Sequence, residues 1–104
     1  MNENTSDDQK TVVYAAGVFD LFHFGHMEFL TKIRDLFPGC VLIAGVHNDE
    51  DVESYKRTPI MTMQERARAV WASRLADEIL LNAPLLETEA FYRDHGISKT
   101  VHAH

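Results

Sequence analysis

Apolar residues fall in two rhythms along this chain: short unbroken runs, and longer stretches spaced by threes and fours. The run at residues 12–16 predicts a first strand. Met27, Leu30, Ile33 and Phe37 recur at helical spacing and predict a helix over 26–37, stopped by Pro38-Gly39. Residues 40–46 are continuously apolar, the pattern of a strand covered on both faces of a parallel sheet. A polar stretch follows from His47 to Pro59, with a short helical turn expected at Asp49-Glu50-Asp51. Thr62 and Glu65 form a capping box, in which hydroxyl and carboxylate each satisfy a backbone donor. The helix it opens should run to about Leu75, with Ala67, Val70 and Trp71 on its inner face and Trp71 in the core. Residues 78–81 predict a third strand. Thr88 reads as an N-cap, and His95-Gly96 ends that helix, with glycine suited to the left-handed position after a C-terminus. Residues 100–102 begin a fourth strand, and the polar residues 1–10 read as a disordered leader.

Strands alternating with helices through short connections imply a parallel sheet with right-handed crossovers and helices on both faces. Such sheets bind ligands at the carboxyl ends of their strands. The 104 residues suffice for one domain, at 11–104, near the lower size limit for a doubly wound fold. A net charge of -6 argues against nucleic acid or an anionic membrane as the main partner. The single cysteine, Cys40, lies inside an apolar run and reads as a small buried hydrophobe in a reducing compartment. No run is long enough to span a membrane, and the N-terminus has no apolar signal core, so a cytoplasmic protein is expected.

The chemistry concentrates in Gly17-Val18-Phe19-Asp20-Leu21-Phe22-His23-Phe24-Gly25-His26, directly after the first strand. A helix N-terminus offers unpaired N–H groups and partial positive charge, which attract phosphate. Two histidines placed there would add donors, and Gly25 would let a ligand approach the backbone. Histidines on loops are also commonly just solvated, so the strand before and the helix after carry the inference. Lys56 and Arg57 lie in a loop from which a cation could reach a phosphate, or serve as solvated charges. Asp49 follows the second strand and could equally be a helix cap. Arg74 could pair with Asp77 or Glu78.

The segments Gly17 to His26, Gly45-Val46-His47-Asn48-Asp49-Glu50, Lys56 with Met61, Glu65-Arg66, Arg74 with Asp77-Glu78-Ile79, and Ala83-Pro84 occur in order over nearly the whole chain. Together they make the chain resemble the cytidylyltransferase family, nearest to the enzymes acting on phosphoethanolamine and phosphocholine. The His-x-Gly-His motif alone is shared with a wider nucleotidyltransferase superfamily. The resemblance implies a Rossmann-like sheet of nucleotidyltransferase type, a homodimer, and a place in phospholipid biosynthesis. It implies catalytic roles for His23, His26 and Lys56. Gly17, Val18, Phe19, Gly25, His26, Arg74 and His102 would bind the nucleotide, with Arg74 supporting the site or the subunit interface. Asp20, Asp49 and Lys56 would contact the phosphorylated substrate. Mg²⁺ would arrive with the triphosphate, since no carboxylate cluster looks like a dedicated cage.

Departures from the family pattern qualify this. A segment with an Arg-Thr-x-Gly-x-Ser-Thr-type motif that follows in relatives is not in this sequence, so the sheet is expected to be incomplete at its C-terminal end and the chain alone a poor catalyst. Ala103 and His104 stand where relatives carry Gly and Asp. Leu85 replaces the aromatic residue that follows Ala-Pro in choline enzymes, which weakens cation–π recognition of a quaternary ammonium and favours phosphoethanolamine. His102 and His104 alternate on one strand face, yet two terminal histidines are more often incidental than metal ligands, and no metal site is expected. Competing readings are an adenylyltransferase of the same superfamily and a nucleotide-binding module without activity.

Overall fold

A computed structural model describes residues 10–102. β1 (Val12–Gly17), β2 (Val41–Val46), β3 (Glu78–Leu81) and β4 (Lys99–Thr100) form one sheet in the order β3-β2-β1-β4. All three pairings are parallel, with Tyr14 opposite Ile43 and Ala44 opposite Ile79. Between the strands lie α1 (Phe24–Leu36), α2 (Asp49–Tyr55), α3 (Met63–Ala72) and α4 (Glu89–Asp94). The expected α/β parallel sheet is therefore present. Its strand order moves outward from β1 to β3, then returns to the far side of β1 for β4. That reversal makes the carboxyl end of β1 the switch point where such sheets take ligands.

Alternation along the strands divides the core. Val13, Ala15, Leu42, Ala44 and Val46 pack with Leu30 and Ile33 of α1 and Met63, Ala67 and Val70 of α3. Tyr14 and Ile43 point to the other face, where the Tyr14 ring meets Phe91 of α4 edge-on at 5.2 Å. Gly45 belongs to this second face, and a Cβ there would collide with the Tyr14 hydroxyl. That hydroxyl is buried and has no hydrogen-bond partner among the described residues. Burial also raises its pKa well above the ordinary phenol value.

Several sequence expectations need correcting. α1 starts at Phe24 rather than His26, because His23 itself is the N-cap. The acidic turn is a full seven-residue helix, capped by Asn48, whose Oδ1 accepts from the Asp51 N–H at 2.7 Å. Three carboxylates in its first turn complement the helix dipole. α3 stops at Ala72, short of Leu75, as the chain turns through Arg74 at φ 64. Its buried face is Met63, Arg66, Ala67 and Val70, and Trp71 is 49% exposed rather than in the core. β4 is two residues long and begins at Lys99. Gly96 does adopt the left-handed conformation, at φ 65. The expected leader at 1–9 and the final pair Ala103 and His104 lie outside the described residues.

Candidate active site

Past β1 the chain makes a tight turn in which Phe19 and Leu21 hold positive φ, at 56° and 51°. Left-handed backbone at bulky residues is costly and persists only where surroundings enforce it. Here Phe19 is buried, with its ring 6.4 Å from Phe22 and 5.5 Å from His26. The turn delivers His23 to the helix start, where its Nδ1 accepts from the Gly25 N–H at 3.0 Å. His26 answers one turn later, its Nδ1 accepting from the His23 N–H at 3.1 Å. Two imidazoles thus build the capping arrangement usually made by a hydroxyl and a carboxylate. Their rings stack with centroids 4.1 Å apart.

This geometry changes the sequence reading of the helix start. The His23 and Gly25 amides are not free for an anion, because the imidazoles satisfy them. With Nδ1 accepting in each neutral ring, the ring proton sits on Nε2, so each histidine keeps one N–H donor to offer. Burial holds the His26 pKa below the ordinary 6.5, helped by His23 and Lys56 and opposed by Asp20. Burial also lowers the pKa of His47.

Two adjoining cavities open here. The larger, about 530 Å³, is lined by Ala16, Gly17, Val18 and Phe19 from β1 and its turn, by His23, Gly25, His26 and Phe29 from the start of α1, and by His47, Tyr55 and Lys56. The smaller, about 180 Å³, is lined by Val18, Asp20, His23, His26, Val52, Lys56, Arg57, Thr58 and Pro59. Val18, His23, His26 and Lys56 belong to both walls.

The loop carrying Lys56 is pinned by Asp20. Its Oδ2 accepts from the Ile60 N–H at 2.8 Å and its Oδ1 from the Met61 N–H at 2.9 Å. Burial pushes the Asp20 pKa up, but these two amides and the nearby Arg66 charge hold it below the ordinary carboxylate value. Arg66 is the fully buried hub beneath. Its guanidinium donates to the carbonyls of Met61 at 3.1 Å, Val18 at 2.7 Å and His47 at 2.9 Å, and to Asp49 Oδ1 at 2.6 Å. One side chain therefore joins the β1 turn, the end of β2, the start of α2 and the Lys56 loop.

The structure gathers Gly17, Val18, Phe19, His23, Gly25, His26 and Lys56 around one space. Asp20 reaches the smaller cavity with each oxygen already accepting an amide. Asp49 lies on neither wall and is engaged by Arg66. Arg74 lies on neither wall either, in the turn leading to the opposite, amino end of β3. His102 follows β4, with Nε2 3.9 Å from Glu87 Oε1, and lines neither cavity. Sequence reasoning assigned no role to Arg66, His47, Tyr55 or Phe29. Arg66 had one readable signal: an arginine on the apolar face of an amphipathic helix. Among the described residues no three His, Cys, Asp or Glu side chains group to hold a metal ion, and no helix is long and apolar enough to cross a membrane.

Residues 14–104 match a family model described as cytidylyltransferase-like. Choline-phosphate cytidylyltransferase A of Homo sapiens is 39% identical over 101 residues, 97% of this chain and 28% of that protein. Ethanolamine-phosphate cytidylyltransferase of Mus musculus is 44% identical over 77 residues, 72% of this chain and 19% of that protein. The chain spans about a quarter of the length of the curated relatives it matches. In fold it is similar to the lipopolysaccharide core biosynthesis protein from Thermoplasma volcanium GSS1, with TM-score 0.67 at 20% identity, covering 88% of this chain and 94% of that one.

Proposed function

The chain belongs to the cytidylyltransferase-like family, and on that premise we propose that it transfers CMP from CTP to a small phosphorylated alcohol, releasing pyrophosphate. One observation carries the reading: His23, His26 and Lys56 stand in the wall common to both cavities, where two phosphate groups would meet. An oxygen of the acceptor phosphate attacks the α-phosphorus. A new P–O bond forms, the bond from α-phosphorus to the bridging oxygen breaks, and its electron pair leaves with pyrophosphate. A phosphomonoester has a second pKa of about 6, so it is mostly dianionic at neutral pH and needs no dedicated base. The protein's part is alignment and charge stabilisation. The Nε2–H groups of His23 and His26 donate to phosphate oxygens, and Lys56 follows the charge between donor and acceptor phosphates. Mg²⁺ would arrive with the triphosphate and supply further charge neutralisation there, as the described residues offer no group of three His, Cys, Asp or Glu side chains to hold it.

Phosphoethanolamine is the favoured acceptor, since Leu85 offers no ring to a quaternary ammonium. The exposed Trp71 and Leu81 beside the β3 edge supply an apolar face through which two copies would pair. The test is phosphorus NMR of the chain with CTP or ATP and either phosphoethanolamine or phosphocholine, alongside titration of each nucleotide alone. CDP-linked product with CTP, and none with ATP, is expected. Product from ATP alone would make the chain an adenylyltransferase. Binding without product would make it a nucleotide-binding module.

A further inference from the structure

The larger cavity holds a pair of side chains that the transfer chemistry leaves unused. His47 follows β2, and its backbone is fixed from two sides: its N–H donates to the Gly17 carbonyl at 3.2 Å and its carbonyl accepts from Arg66 at 2.9 Å. Tyr55 ends α2, beside Lys56. His47 Nδ1 and the Tyr55 hydroxyl lie 3.1 Å apart, in hydrogen-bond contact. Both line the cavity with His23, His26 and Lys56.

The pair is uncharged near neutral pH. Burial lowers the His47 pKa, assisted by Arg66 and Lys56 against Asp51 and Glu87, and burial raises that of Tyr55. Its hydrogen-bonding capacity does not depend on the tautomer. If the Tyr55 hydroxyl donates to Nδ1, the pair keeps the Nε2–H donor and a phenol lone pair. If Nδ1–H donates to the phenol, it keeps the phenol O–H donor and the Nε2 lone pair. Either way one donor and one acceptor remain. An ammonium has donors only, a quaternary ammonium has neither, and a hydroxyl has both. No carboxylate lines this cavity among the described residues.

We propose that His47 and Tyr55 together read one hydroxyl group of a ligand whose phosphate lies against His23, His26 and Lys56. This rests on the transferase reading. The hydroxyl has two possible sources, the ribose of the nucleotide or a polyol phosphate acceptor.

Calorimetric titration of the wild-type chain and of Tyr55→Phe and His47→Leu tests this, with melting curves confirming that each variant folds. The ligands are CTP, 2′,3′-dideoxy-CTP, and, with CTP present, glycerol 3-phosphate and phosphoethanolamine. Loss of one neutral hydrogen bond should weaken the hydroxyl-bearing ligand about fivefold and spare its counterpart. A loss confined to CTP against its dideoxy analogue assigns the ribose. A loss confined to glycerol 3-phosphate against phosphoethanolamine assigns the acceptor. Equal losses, or none, across all four ligands overturn the hydroxyl-reading pair while leaving the transferase reading intact. A wild-type chain that binds none of the four ligands overturns both.

Discussion

Arg66, bonded to the Val18 carbonyl in the turn after β1, and the His23–His26 pair that follows this turn treat their hydrogen-bond donors in opposite ways. Arg66 is fully buried and spends its guanidinium on three carbonyls and one carboxylate. The histidines spend one nitrogen each on the helix start and keep the other. A saturated group holds its surroundings in place, whereas a group with a spare donor facing a cavity has something left for a ligand. Charge alone does not separate the two roles. A census of used and unused donors does.

The sharpest way to break this contrast is Arg66→Ala. Loss of the guanidinium leaves the carbonyls of Val18, His47 and Met61 without their donor, and a buried acceptor left unsatisfied costs about 1–3 kcal/mol. Chemical denaturation should reveal a loss of that size. A variant as stable as wild type would mean that Arg66 organises nothing. His26→Ala should act the other way round. Turnover should fall by about 10²–10³, as for a lost transition-state donor, while losing the His26 half of the capping box, with the His23 cap kept, costs no more than about 1 kcal/mol of stability. Steady-state rates beside a melting curve decide this, and a folded variant with normal turnover would remove His26 from the chemistry.

Lys56→Ala should weaken both substrates, by roughly tenfold or more for a charge-assisted contact. Arg57→Ala should do less, because Arg57 lines only the smaller cavity. Kinetics showing the reverse order would reassign the working cation. The pH dependence follows from His26. Its folded pKa lies below the ordinary 6.5, so between those two values the unfolded chain binds more protons. Stability from this group is therefore full above pH 6.5 and declines as pH falls through the window. Protonation also puts a hydrogen on Nδ1 and ejects the His23 amide from its bond. Thermal melts from pH 7.5 down to 5 should show the decline, and His26→Ala should reduce it, leaving the share due to His47, whose pKa is lowered in the same way. The smallest effect is expected at Tyr14, whose hydroxyl is buried without a partner. Tyr14→Phe removes that cost and should leave stability unchanged or raise it by up to about 1 kcal/mol. A clear destabilisation would show that the hydroxyl has a partner after all, such as a bound water.

Much of the frame was legible. The unbroken run before Val46 marked a strand covered on both faces, Glu78–Leu81 fell where its pattern put it, and Thr62 with Glu65 marked a helix start by ordinary capping chemistry. Local signals sufficed there because each element's cause lies within its own few residues. The start of α1 was misplaced because imidazole seldom serves as an N-cap. Trp71 was misplaced because α3 ends one residue later and leaves its outer edge open. In the site, the strand-turn-helix motif placed His23, His26 and the glycines together. The resemblance alone implied ligand contacts for Asp20 and Asp49, and the hydrogen bonds that engage both were not legible. Their partners, Arg66 and the Ile60 and Met61 amides, lie 17, 40 and 41 residues away in sequence. Pairings over such distances leave no trace in a local pattern.

The anchoring of the Lys56 segment bears on timing. The Lys56 N–H is bonded to the Val52 carbonyl at 2.9 Å, and Asp20 grips the chain again at Ile60. Only Arg57, Thr58 and Pro59 lie between these two moorings. The ammonium therefore reaches a ligand by rotating a flexible stem, on the picosecond-to-nanosecond scale of side-chain motion, and not by the microsecond-to-millisecond swing of a lid. Under the proposed transfer, the cation would already be in residence, and no loop closure would have to precede bond exchange.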